Sequence, residues 1–454
     1  MSAKSRKKYE IDMCEGPLFK KMILFTLPLM ASSLLQLLFN AADIIVVGRF
    51  AGDNSLAAVG STSSLVNLLV NLFMGLSIGA NVLVARYYGA RRDKDLSETI
   101  HTSIAISIAS GLTLMIIGFF GAGTILKWMG TPAEVLNLAI IYLRVYFVGM
   151  PAMMLYNFGA AILRAVGDTQ RPLRYLTLAG IINVSLNLVF VIVFHWGVFG
   201  VGLATTASQV VSAFFVIRCL MKEEGALKLR RNEIRISGNK LLQILKIGLP
   251  AGFQGILFSI SNVVIQSSIN SFGATVVAGN SAASNVEGFV YVGMNSFYQA
   301  AISFTSQNYG AGKYDRIKKI LFIAVSCSVT VGFVMGMSAY LAGPVLLRFY
   351  TTSEAVVEAG MVRLSIIAFT YALCGFMDTI VGTLRGIGFS IGPMVVSLVG
   401  VCATRLIWIS TVFQIPEYHR IETVYSIYPI SWVITAVAHF ITFAIAMKRI
   451  KNQA

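Results

Sequence analysis

Apolar residues run through this chain in blocks too long for the core of a soluble domain. Twelve such stretches can be traced, at residues 20–48, 55–85, 96–121, 134–160, 172–195, 198–221, 242–270, 276–305, 317–343, 355–382, 392–413 and 426–447. Each is at least as long as the roughly 20 residues a helix needs to cross the hydrocarbon of a bilayer. Short polar segments separate them, and the longest, 222–240, contains KEEGALKLRRNEIR. The pattern predicts an all-α membrane protein of twelve transmembrane helices in two pseudo-symmetric six-helix bundles. Helices 1–6 form an N-lobe over residues 1–221, 222–240 is a cytoplasmic linker, and helices 7–12 form a C-lobe over 241–454.

The two halves repeat. Leu27-Pro28 recurs as Leu249-Pro250 and Asn40 as Asn262, at an offset of 222. Tyr88-Gly89-Ala90 recurs as Tyr309-Gly310-Ala311, and Leu163-Arg164 with Gly167 and Pro172 recurs as Leu384-Arg385 with Gly388 and Pro393, at an offset of 221. Six spans per half make the halves parallel, related by an axis along the membrane normal. Secondary transporters commonly use such repeats, with a substrate site at the repeat interface near mid-membrane.

Composition supports a membrane protein: 56% of the residues are hydrophobic and 12% charged, against roughly 25% charged in soluble domains. The net charge of +16 would suggest nucleic acid in a soluble protein. Here the positive-inside rule explains it, because 29 of the 36 Lys and Arg fall on one side of the spans. That side includes Lys4, Arg6, Lys7 and Lys8, the linker and the C-terminal Lys448, Arg449 and Lys451, so both termini are expected in the cytoplasm. Met1 to Lys21 lacks a small-residue cleavage pattern and the first apolar segment exceeds an h-region, so no cleaved leader is expected. The five cysteines are scattered without a CxxC and read as small core residues.

A carboxylate within a span is costly and rarely accidental. Asp43 lies in LLQLLFNAADIIVVGRF, and Gln36, Asn40 and Asp43 are spaced to form one polar stripe on the first helix. Burial disfavours the charged form of a carboxylic acid, so Asp43 could exchange a proton or hold a sodium ion. Alternatively, hydration near Arg49 would make it an interfacial residue. Asn183 and Asn187 share a face of the fifth span, and Thr205 of the sixth could approach them, either for interhelical hydrogen bonding or for a ligand. The C-lobe has its own acids, Glu287 with Tyr291 one turn on, and Asp378 in the tenth span. Asp378 could form a structural ion pair with Arg405 of the eleventh span, or serve transport. The acids are not duplicated: Ile265 matches Asp43, and Asn157 matches Asp378. Pro28 inside the first span removes a backbone hydrogen bond and can act as a bend that moves Asp43. The 18 Met and 29 Phe suit either an adaptable cavity or ordinary packing.

Enzymatic signatures are missing. GAGKYD at 310–315 lacks the earlier Gly and following Ser/Thr of a phosphate-binding loop, no HExxH occurs, and the histidines are dispersed. No catalytic residues, metal site or resident cofactor are expected.

Pro28 followed by NAADIIVVG, RYYGARRDK at 86–94, ILRAVGDTQRP at 162–172, and NVSLN from Asn183 together resemble the multidrug and toxic compound extrusion (MATE) family. NYGAGK at 308–313 and TLRGIGFSIGP at 383–393 echo it in the second half, and the resemblance covers residues 16–447. It implies a V-shaped pair of bundles and H+- or Na+-driven antiport that exports amphipathic, often cationic compounds. It places an N-lobe cation site on Asp43, Asn183, Asn187 and Thr205, and makes bending at Pro28 a coupling motion. Asn187 departs from the pattern, because many relatives carry Asp there. The lobe is left with one carboxylate where two would compensate a cation. Some relatives place cation-linked acids in the C-lobe, so Glu287, Tyr291, Asp378 and Arg405 are candidates for a substrate or second cation site, with Gln36 and Asn40 as further polar positions in the cavity. The expected setting is a bacterial or archaeal-type inner membrane, with the bilayer and small amphipathic molecules as partners and no nucleic acid. One chain supplies both lobes, so a functional monomer is expected. The rival expectation is a flippase for a lipid-linked sugar, of similar architecture.

Overall fold

The structure, a computed structural model, describes residues 9–453, so Lys4, Arg6, Lys7 and Lys8 lie outside the described residues. Among those residues there is no strand. The first half begins with three long helices, α1 (Leu18–Phe50), α2 (Asp53–Gly89) and α3 (Asp93–Trp128). The fourth span is two helices, α4 (Ala133–Val148) and α5 (Met150–Ala165), bent by 45°. Pro151 in the first turn of α5 cannot donate to the carbonyl one turn back, which ends the α4 ladder. α6 (Gln170–Leu188) runs into a π-helical turn at Val189–Val193, and α7 (Gly197–Met221) closes the half.

The second half contains α8 (Gly238–Asn270), α9 (Ala274–Gly310), α10 (Tyr314–Leu341) with the short α11 (Gly343–Arg348), and α12 (Glu354–Gly386). Its fifth span is α13 (Ile391–Ser397), a π segment at Leu398–Ala403, and α14 (Thr404–Ser410); α15 (Ile421–Gln453) follows. All twelve expected stretches are helical. Among the described residues ten helices are long and apolar enough to cross a membrane, or eleven when the bent pair counts as one span. α9 is long enough, at 37 residues, but is diluted by Asn280, Asn285, Glu287, Asn295, Gln299, Gln307 and Asn308.

α1 continues unbroken through Pro28, whose carbonyl accepts the Ser32 hydroxyl at 2.9 Å. The described residues divide into two compact units, one of residues 9–12 and 27–252, the other of 13–26 and 253–453. Expected as a linear boundary at 222–240, the division leaves the linker and the start of α8 with the first unit and the start of α1 with the second. In both helices it falls within two or three residues of the repeated proline, Pro28 or Pro250.

Within the first unit α2 and the start of α8 cross at backbone contact. A Cβ added at Gly75 would sit 2.3 Å from the Gly252 nitrogen, and one at Gly79 would sit 2.4 Å from the Ile244 carbonyl oxygen. Gly75 and Gly79, like Gly248 and Gly252, are four apart, which is the small-residue spacing that lets membrane helices approach closely. In hydrocarbon, where apolar burial adds nothing between helices, this dispersion contact is a main source of adhesion.

ILRAVGDTQRP forms the corner between α5 and α6. Asp168 is fully buried, and its Oδ1 accepts the backbone N–H groups of Gln170 and Arg171, each at 3.1 Å. The Arg171 guanidinium bridges Asp168 and Glu223, fastening the start of α6 to the start of the linker. The linker is not a free tether. The buried ring of His101 on α3 accepts the Arg230 backbone N–H at Nε2, 3.0 Å, with Nδ1 2.7 Å from the Ser97 carbonyl oxygen. Thr102 accepts the Ser237 N–H, and Lys240 donates to Asp95. Arg230 holds Glu233, beside His101, below the usual carboxylate range. In the second unit Val286, Val290 and Met294 of α9 pack with Leu364 and Ile367 of α12 and with Tyr425 and Trp432 of α15.

Replacing Gly75 by Val forces α2 and α8 apart. Overpacking of this kind costs about 1–3 kcal/mol, so the melting temperature of the purified protein in detergent is expected to fall. Melting equal to wild type would mean the crossing is not a packing constraint.

Candidate functional site

The intramembrane acids end in three different environments. Asp43 of α1 is half-buried and faces α6 and α7. The register is set one turn earlier, at Phe39, whose ring lies where a Cβ on Gly180 would be, 1.7 Å from that position. Only glycine admits the ring there. With Phe39 seated on Gly180, Asp43 comes level with Asn187, two turns along α6.

Asn187 Nδ2 donates to Asp43 Oδ1. Asn187 also lies 3.4 Å from Asn183 Oδ1, and Asn183 Nδ2 donates to Thr205 Oγ1 at 3.4 Å. Thr205 Oγ1 is 3.5 Å from Asp43 Oδ2 but 3.0 Å from the Val201 carbonyl oxygen. A hydroxyl has one proton, and the shorter contact claims it. Asp43 Oδ2 then faces a lone pair, and the buried Asn187 Oδ1 has no donor among the described residues. The cluster is short of donors. A proton on Asp43 Oδ2 would donate to Thr205, which would then accept twice and donate once, using its full capacity. A monovalent cation would meet Asp43, Asn187 and Thr205 oxygens, with one carboxylate to compensate it.

The structure brings Asn183, Asn187 and Thr205 together with Asp43, the grouping that the family resemblance implied; spacing alone gave only the shared face of the two asparagines. Gln36 and Asn40 do not join: both are exposed and make no hydrogen bond into the cluster among the described residues. Tyr142 and Tyr146 of α4, absent from the sequence reading, lie within reach of the Asp43 charge. Their i, i+4 spacing was visible, but nothing in it distinguished them from other interfacial tyrosines.

Glu287 is in a different state. Arg363 grips it with two parallel bonds, Nε to Oε1 at 2.9 Å and Nη2 to Oε2 at 2.7 Å, and reaches Asn280 with Nη1 at 2.7 Å. Both side chains are under a tenth exposed. The guanidinium lies over Tyr425 and Tyr428. Glu287 is thus neutralised inside the unit. Arg363 stood in the apolar run MVRLSIIAF and was an unexploited signal, since intramembrane charges pair.

The Asp378–Arg405 ion pair does not form. Arg405 donates to Ser431 and Asn262, each at 3.2 Å, and stacks on Tyr428 at 4.3 Å. Arg385 is the cation whose charge reaches Asp378, and its own bonds go to Tyr298 and, at 2.8 Å, Gln254. Asp378 lies beside Tyr291, which accepts from Asn295 at 3.3 Å, and 4.0 Å from the Cys374 sulfur. At the repeat position of Asp43, Ile265 is buried in the apolar core. At that of Asp378, Asn157 bonds only the Met153 carbonyl among the described residues, so neither site is copied.

The MatE family model matches residues 28–189 and 250–408, two blocks that begin at the repeated prolines. The chain belongs to this family of MATE transporters. Its members are transporters and not enzymes. The chain is 27% identical over 411 residues to the probable multidrug resistance protein YoeA of Bacillus subtilis, covering 89% of this chain and 88% of that protein. It is 25% identical over 386 residues to the multidrug export protein MepA of Staphylococcus aureus, covering 85% of each. The fold is similar to that of a multidrug resistance MATE family transporter whose own structure is in an outward-facing conformation, with a TM-score of 0.90 at 22% identity over 99% of this chain and 100% of the other. The protein is therefore a multi-pass membrane transporter with the MATE fold.

Two readouts test the site geometry of this MATE chain. Arg363→Met leaves the buried Glu287 unpaired and is expected to destabilise the protein by about 3–5 kcal/mol. Adding Glu287→Gln should restore most of the loss in thermal unfolding; a double variant no more stable than the single would show that the pair is not the unit. Gly180→Leu displaces Phe39, and transport should fall several-fold with every cluster residue intact, whereas unchanged transport would remove Gly180 as the register.

Proposed function

We propose that the protein is a secondary active efflux transporter that exports amphipathic, cationic small molecules by H+ antiport with alternating access. The donor deficit around Asp43 carries this reading. Protonation completes the Asp43–Thr205 hydrogen bond and removes the charge, and deprotonation restores a carboxylate that the cluster satisfies incompletely. The two states bias the packing of α1 against α6 and α7, with Pro28 as the bend, and a ligand shifts such an equilibrium only through its different affinity for the two states. The single carboxylate favours H+ over Na+ as the coupling ion. The multidrug names of YoeA and MepA support the substrate class. The charge asymmetry supports cytoplasmic termini in a cell inner membrane, and both bundles in one chain support a functional monomer with no nucleic-acid partner. Asp378 with Tyr291 is the proposed second polar site, and Glu287 is structural.

Flipping of a lipid-linked sugar would need free cations for a diphosphate. Arg405 and Arg385 spend N–H groups on neutral side chains inside the second unit, which disfavours that reading.

Efflux of a fluorescent organic cation from proteoliposomes, with pH and sodium gradients imposed separately, tests the proposal. Wild type is expected to respond to the pH gradient, and Asp43→Asn to lose coupled efflux while remaining folded in the membrane. Asn187→Asp, which supplies a second carboxylate, should add a response to sodium. Full efflux by Asp43→Asn, or efflux by wild type on the sodium gradient alone, would overturn the mechanism.

A further inference from the structure

The start of α10 carries a charge cluster that the transport site does not use. A cavity of about 510 Å³ opens between this helix and the start of α1, both in the second unit. Three cations line it, Arg316, Lys318 and Lys319, together with the apolar Leu18, Phe322 and Ile323. No carboxylate is among its lining residues.

The cations are arranged differently. Arg316 is held by two bonds, Nε to Asn308 Oδ1 at 3.1 Å and Nη2 to the Gly16 carbonyl oxygen at 3.2 Å. These fix the guanidinium at the cavity wall and leave the rest of its N–H groups uncommitted. Lys318 and Lys319 are exposed and have no ion-pair partner among the described residues. Asp315, one turn back, pairs with neither, and Glu15 is occupied by Lys313 at 3.8 Å. Just beyond the lysines the sequence turns apolar, as ILFIAV over 320–325, and Phe322 is 73% exposed. The cavity thus has a cationic rim at the end of two spans and an aromatic and aliphatic wall along the first turns of one of them.

A soluble anion would use the rim and have no use for the wall. A phospholipid would use both, with its phosphate on Arg316, Lys318 and Lys319 and its acyl chains along Phe322 and Ile323. Basic pockets between spans bind anionic head groups in this way, with selectivity that comes from charge. We propose that this cavity is a binding site for an anionic phospholipid, distinct from the transport cluster, and that Lys318 and Lys319 provide its selectivity over zwitterionic lipid.

The test uses the full-length protein, delipidated in neutral detergent and titrated with dioleoyl phosphatidylglycerol or dioleoyl phosphatidylcholine, with bound lipid counted by native mass spectrometry. Wild type should retain at least one phosphatidylglycerol in preference to phosphatidylcholine. A basic residue beside an anionic surface is worth about fivefold, so K318Q/K319Q should lose about 25-fold of that preference. K448Q/K451Q, an equal charge loss at the end of α15, should keep it, and both variants should melt like wild type. Equal loss in the two variants would reduce the effect to net charge and overturn the site. Displacement of the bound lipid by millimolar inorganic phosphate would reassign the rim to a soluble anion and overturn the lipid proposal.

Discussion

Hydrocarbon supplies no hydrogen bonds, so every polar group carried into it must find its partner within the protein. The rest of this structure depends on how each buried acid meets that demand. Glu287 meets it with a permanent partner, since Arg363 takes both carboxylate oxygens and Asn280 and two tyrosines complete the guanidinium. Asp43 meets it only in part, with an amide on one oxygen and a distant, already committed hydroxyl on the other. A fully compensated ion pair is a poor switch, because changing its protonation strands the partner's charge. An acid held by neutral groups can change protonation without stranding anything. The difference is the physical ground for proposing a scaffold role for Glu287 and a working role for Asp43.

The fold was almost wholly legible in the sequence, because span length and the 221–222 offset are coarse signals that survive individual substitutions. Of the Asp43 cluster, spacing revealed only the shared face of Asn183 and Asn187; Asp43 lies 144 residues from Asn187, and their meeting was expected from the resemblance to the MATE family. The C-lobe pairings were not legible. Glu287 and Arg363 are 76 residues apart and on helices whose relative rotation no periodicity reveals, and for the same reason an Asp378–Arg405 pair had stood as one of two alternatives. Pro28 and Pro151 show a further limit. Both remove a backbone donor, but α1 runs through Pro28 as one helix, whereas the fourth span breaks into two helices at Pro151, where Gly149 adds flexibility and a Cβ at Gly111 of α3 would lie 2.5 Å from the proline. Which proline breaks a helix depends on what packs against it.

The segments most similar to the family divide along the same line. ILRAVGDTQRP carries an acid and two arginines, yet Asp168 and Arg171 hold a helix corner to the linker. NAADIIVVG carries a single acid, and its partners are the neutral Asn187 and Thr205. The number of charged residues in a motif says little about which motif does chemistry; the partners available to each charge decide it.

The assignment of the two helix starts has a consequence for how such a chain could arise. Residues 13–26 belong with the second unit, and the start of α8, through Gly252, with the first. If a half-length ancestor made the same exchange, each copy would lend its first helical turns to another copy. Such a chain would be an obligate swapped dimer with no complete folded monomer. Fusing the two copies replaces a search through solution by an intramolecular encounter whose effective concentration is set by the connecting segment. It also frees each half to mutate alone. One lobe could then keep an acid at position 43 while the other fills the matching place with Ile265.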